Sequence, residues 1–175
     1  RAEDADAVNV FLDIGWRGTS IALTYGTRVS FLKMIEVGGR HFVEAVGKGL
    51  SISTEEAAGL RMRIMHESAG QRAGDRESVQ GDVLAAVHDA GRPVAERITR
   101  DVQMCLRYFA VTFRGQRPRS LTLVGGEAHE PSLMPIVAAG VDIPCTIGNP
   151  LRGIGRLGVL GAREQRAFQP AWATA

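Results

Sequence analysis

The strongest constraint on the fold is a single change of hydrophobic period near residue 39. Before it, apolar residues alternate. Val8, Val10 and Leu12 run into Asp13-Ile14-Gly15, which reads as a strand ending in a tight turn. Ser20 to Thr24 reads as a second strand, closed by Tyr25-Gly26. Val29 to Val37 reads as a third, ending at Gly38-Gly39. Three strands joined by short glycine-bearing turns predict an antiparallel meander. After it, Phe42, Val43, Val46 and Leu50 recur at helical spacing. Ser53-Thr54-Glu55-Glu56 opens another helix, with hydroxyls at the cap and acids in the first turn, and that helix carries Leu60, Ile64 and Met65.

Residues 66–81 are polar and read as a loop at a subdomain boundary. Val83, Leu84 and Val87, then Val94, Ile98, Val102, Leu106, Phe109 and Phe113, predict helices. Gly91 to Pro93 is expected to break or kink them, because proline lacks the donor a helix interior needs. Ser120 to Val124 is a short buried strand running into Gly125-Gly126. A helix is expected over Pro131 to Ala139, a strand over Ile143 to Ile147, a loop over 151–162 and a last helix over 171–175. A meander followed by alternating helices and strands gives an α/β domain with ribonuclease-H-like layout. The expected division is a first part over 1–65, a mainly helical subdomain over 66–118 and a return to the first domain over 119–175.

Composition narrows the classes. Net charge is +2 over 175 residues, and the arginines are scattered, which leaves no patch for nucleic acid. Cys105 and Cys145 lie far apart without metal-ligand spacing and read as small buried hydrophobes. His41, His66, His88 and His129 are isolated. Glu96 and Arg100, four apart, read as a surface pair. No apolar run reaches the roughly 18 residues of a membrane helix. A chain beginning at Arg1 is expected to be cut from something longer.

Two glycine-bearing turns follow strands, and these carry the chemistry. In Asp13-Ile14-Gly15-Trp16-Arg17-Gly18-Thr19, exposed amides can cradle phosphate oxygens. An Asp at a strand end can hold a hydrated Mg²⁺, and Thr19 can add a hydroxyl. On spacing alone, a hairpin turn capped by Asp13 is the favoured explanation of the segment. The second turn, Gly125-Gly126-Glu127-Ala128, leaves room for a flat ring or a phosphate at a strand-to-helix junction, or is an ordinary loop.

Several stretches together resemble the actin-like ATPase superfamily, and its pilus-assembly PilM family in particular. Leu12 to Gly15 with Thr19 resembles the second phosphate motif. Ile35 to Gly39, Phe42 to Val46 and Leu50 to Ala57 resemble the PilM pattern, as do Ile143-Pro144 and Asn149-Pro150-Leu151. Leu121 to Gly126 with Ala128 resembles the adenosine motif, and Phe168 to Ala175 the final stretch before the last strand. The resemblance implies that this chain is the second of two halves between which ATP and Mg²⁺ lie. Asp13, Gly15, Gly18 and Thr19 would then face the phosphates and magnesium, and Gly125, Gly126, Glu127, Ala128 and Arg61 the adenosine. Relatives carry an acid and a lysine where this chain has Ala58 and Arg61, and small residues where it has Trp16 and Arg17. Arg61 would stack on adenine or lie on the surface, Trp16 would pack under the phosphates, the favoured reading, or cover the sheet, and nucleotide binding is expected to be weakened or lost.

The resemblance implies a cytoplasmic scaffold peripheral to the inner membrane, in a type IV pilus or type II secretion machine. Its inner-membrane partners would engage the other half, and self-association is open. The fragment alone would not be an enzyme, and its parent would be at most a weak ATPase. The alternatives are an FtsA-like polymerising division protein, or a phosphotransferase of the same superfold.

Overall fold

A computed structural model describes residues 7–68, 81–113 and 117–148. The meander is present as β1 (Val8–Ile14), β2 (Thr19–Tyr25) and β3 (Arg28–Ile35). It is followed by α1 (Gly39–Leu50), α2 (Thr54–Ser68), α3 (Gly81–Thr112), β4 (Ser120–Val124), α4 (Leu133–Gly140) and β5 (Cys145–Ile147). The strands form a five-stranded sheet in the order β3-β2-β1-β4-β5. β1 pairs antiparallel with β2 and parallel with β4, and β4 pairs parallel with β5. The mixed α/β architecture is the expected one.

Alternation along the strands decides which face is covered. Val8, Val10, Leu12 and Ile14 of β1 join Ile21, Leu23, Leu121 and Leu123 in one core. α3 seals it with Ile98, Val102, Cys105 and Phe109, and α4 with Leu133 and Val137. Each fully buried side chain of this kind contributes about 1.5–3 kcal/mol of transfer free energy. A second, smaller cluster joins α1 and α2 to the start of α3 through Val43, Val46, Ala57, Ile64 and Val87. The second part of α3 therefore belongs to the main core, and its first part to the helical cluster. On the opposite face of the sheet Phe11, Leu32 and Met34 stay exposed among the described residues.

α2 starts as its sequence predicts. Ser53 and Glu56 form a reciprocal cap, with the Ser53 amide donating to Glu56 at 2.9 Å and the Glu56 amide to the Ser53 hydroxyl at 3.2 Å. Of the break or kink expected at Gly91 to Pro93, the break is absent, because α3 runs unbroken through Pro93. Proline deprives only the Asp89 carbonyl of its donor, and both residues are exposed, so water can take its place. Gly91 serves close packing instead: a Cβ there would lie 2.9 Å from Ser132 Oγ and 3.3 Å from Phe42. A further correction concerns the surface: Glu96 and Arg100 form no ion pair among the described residues. Trp16 is 52% exposed. The helix expected at Pro131 starts at Leu133, and the strand expected from Ile143 is only Cys145–Ile147. The readings for 151–162, 171–175, Asn149 to Leu151 and Phe168 to Ala175 lie outside the described residues, as does most of the loop read over 66–81.

Candidate functional site

The two glycine-bearing turns meet. β1 and β4 are parallel neighbours, so their carboxyl ends lie side by side and Asp13 pairs with Val124. In open α/β sheets that end is where ligands settle. Gly125 has φ +93°, a left-handed conformation that glycine adopts without strain. A side chain there would also collide with the Asp13 carboxylate and the Ile14 backbone. The Glu127 amide donates to the Ile14 carbonyl at 3.1 Å and locks the second turn over the end of β1. The first turn is docked in turn on the start of α1. The amides of Gly39 and Arg40 donate to the carbonyls of Gly15 and Trp16, each at 3.0 Å. Those two helix amides are therefore committed within the protein.

Asp13 lies on the sheet face away from the core and makes no hydrogen bond or ion pair among the described residues. Burial raises its carboxyl above the usual carboxylate range. A half-buried acid without a partner, at the carboxyl end of a parallel strand pair, is suited to a cation. No group of three or more metal-ligating side chains occurs among the described residues. A single carboxylate of this kind could hold a hydrated ion only together with water or a ligand's own oxygens.

Thr19 does not share this face. It is buried, pairs with Ile14, and donates its hydroxyl inward to the Val37 carbonyl at 2.6 Å. Its neighbour Ser20 pairs directly with Asp13 and lies on the Asp13 side of the sheet. Sequence reading includes Ser20 at the end of the turn segment but gives it no role. The period-2 rule, counted across the hairpin from the Asp13 pair, identifies it.

Arg61 and Glu127 are brought together by a structure that sequence did not reveal. Arg61 is not on the surface; it is 2% exposed. Its Nε donates to Glu130 at 2.9 Å, its Nη2 to Glu127 at 2.7 Å and again to Glu130, and its Nη1 to the Gly39 carbonyl at 3.1 Å. The guanidinium carbon sits 5.2 Å from the centre of the Phe42 ring. Ser132 donates to the other Glu130 oxygen at 3.1 Å. One cation thus ties α2 and the start of α1 to the β4–α4 turn. The Glu127 carboxylate lies hard against Gly39. Ala128 is fully buried in the main core, and Gly126 is exposed with open space beside it. Ala58 packs against the smaller cluster.

The five-stranded sheet and its helices define a mixed α/β domain in which the two glycine-bearing turns meet at the parallel strand ends. No protein-family model and no curated protein matches the chain. Solved structures do. One chain of a PilM–PilN type IV pilus biogenesis complex matches with a TM-score of 0.76 and 20% identity, over 98% of this chain and 45% of that one. The ethanolamine utilization protein EutJ from Carboxydothermus hydrogenoformans matches with a TM-score of 0.58 and 19% identity, over 82% of this chain and 44% of that one. An archaeal actin homolog matches with a TM-score of 0.52 and 15% identity, over 79% and 41%. The chain has the actin-like fold and spans less than half the length of these matched chains. Among the described residues no helix is long and apolar enough to cross a membrane.

Proposed function

We propose that the chain is one half of a two-lobed, PilM-like scaffold of a type IV pilus or type II secretion assembly, binding MgATP between its halves. The scaffold works in the cytoplasm beside the inner membrane, and its inner-membrane partners engage the other half. The observation that carries the nucleotide reading is the unpartnered Asp13 carboxylate beside Gly125 at the parallel strand ends. Asp13 would hold the magnesium through water, and Gly15 and Gly18 would lie under the phosphates. Gly125 and Gly126 would leave room for the adenosine. Bound magnesium would supply charge neutralisation at the phosphates. The likeness to a chain of a pilus biogenesis complex supports the assembly role. Any turnover would draw on residues of the other half to align an attacking water.

A second reading is favoured by the Arg61 network: a scaffold whose nucleoside side is sealed by its own side chains, Arg61 and Glu127 being bonded to each other. Calorimetric titration of the full-length protein with MgATP separates the two. Micromolar binding that collapses in Asp13→Ala supports the nucleotide site. No heat in either protein rejects it in favour of the sealed scaffold.

A further inference from the structure

A groove of about 500 Å³ lies between α3 and α4. The two helices run side by side and are pinned at both ends. Ser132 packs against Gly91 before α4 starts. Gly140 packs against Thr99 and accepts a 2.7 Å hydrogen bond from Gln103 Nε2. The groove between these points is thus part of the packed scaffold. Its floor is apolar, formed by Pro135, Ile136 and Ala139 of α4.

The α3 wall carries a charge pattern. Arg92, Glu96 and Arg100 all line the groove and lie four residues apart, so they stand in a row along one helix face. The row is about 12 Å long at 1.5 Å rise per residue. None of the three makes an ion pair or side-chain hydrogen bond among the described residues. Residues four apart with opposite charge ordinarily close on one another. Here both guanidinium groups and the carboxylate remain uncommitted beside exposed apolar surface.

We propose that this groove docks an amphipathic helix of a partner protein. The partner lays an apolar ridge on Pro135, Ile136 and Ala139 and presents acid, base and acid at four-residue spacing to Arg92, Glu96 and Arg100. The apolar floor supplies affinity and the alternating charges set register and partner choice. A uniformly acidic helix meets Glu96 with like charge, and a uniformly basic one meets both arginines. The alternating pattern is the one that suits all three.

The test is fluorescence anisotropy with the full-length protein and two labelled helical peptides of about 16 residues, alike in their leucine ridge. One carries Glu, Lys, Glu at four-residue spacing beside the ridge, and the other Lys, Glu, Lys. The first should bind about tenfold tighter or more. In the Arg92→Glu/Glu96→Lys/Arg100→Glu protein the preference should reverse. Ala139→Arg, which fills an exposed part of the floor, should weaken both peptides. Far-UV circular dichroism confirms that the variants are folded. Equal binding of the two peptides, binding of neither, or a preference the charge-reversed protein retains would overturn the proposal.

Discussion

Replacing Arg61 with methionine removes one buried cation and leaves two carboxylates facing one another. Methionine preserves contact with Phe42, so the change is chiefly electrostatic. Glu130 has no exposed side-chain surface and Glu127 has 11%. Breaking a buried ion pair by deleting one partner costs about 3–5 kcal/mol. The Gly39 carbonyl loses its donor as well, worth about 1 kcal/mol. Together these come to about 4–6 kcal/mol, so against a total stability of about 5–15 kcal/mol Arg61→Met should remove a large part of the domain's stability. At roughly 2–4 °C per kcal/mol for a chain of this size, the melting temperature should fall by roughly 8–24 °C. Urea unfolding followed by circular dichroism measures the loss. The triple variant Arg61→Met/Glu127→Gln/Glu130→Gln should recover at least half of it, because no buried charge then remains. A loss below about 1 kcal/mol for Arg61→Met would refute the reasoning, since a surface pair costs no more than that. A triple variant no better than the single one would show that shape, not charge, governs the network.

Three other perturbations follow from the site. Burial holds the Asp13 carboxyl above its unfolded value, so its charged form destabilises the folded state at neutral pH. Asp13→Asn should therefore be more stable than the wild type at pH 7, with the difference closing as pH falls through the folded value toward about 4; urea midpoints across that range check the sign. Thr19→Val should cost about 1–2 kcal/mol through the orphaned Val37 carbonyl and leave MgATP affinity unchanged, whereas Ser20→Ala should weaken MgATP binding at unchanged stability. Gly125→Ala should cost about 1–3 kcal/mol for its φ of +93° alone, and more for contact with the Ile14 carbonyl at 2.5 Å, measured by the same unfolding assay.

Much of the fold was legible because it is written in short-range periods. Val8, Val10 and Leu12 alternate, Phe42, Val46 and Leu50 recur at helical spacing, and the Ser53–Glu56 cap announces α2. The two turns of the site were legible as glycines after strands. What failed were inferences from one residue type taken alone. Pro93 was expected to break or kink α3; the helix is not broken, and the exposed position of Pro93 lets water replace the missing donor. Thr19 was assigned to the phosphates by proximity in sequence, while the hairpin register turns it inward and brings Ser20 to the Asp13 side. Arg61 is 66 residues from Glu127 and 69 from Glu130, and no local pattern announces a pairing over that separation.

The central claim is that the two turns brought together at the ends of β1 and β4 form half of a nucleotide site. A crystal structure of the full-length protein with Mg²⁺ and a non-hydrolysable ATP analogue tests it most directly. The account predicts the nucleotide between the two halves, with its phosphates over Gly15 to Gly18, Asp13 reaching the metal through water, and the adenosine beside Gly125 and Gly126. A nucleotide bound elsewhere on the protein, or a crevice that stays closed by Arg61 and Glu127 with no nucleotide in it, would contradict that claim.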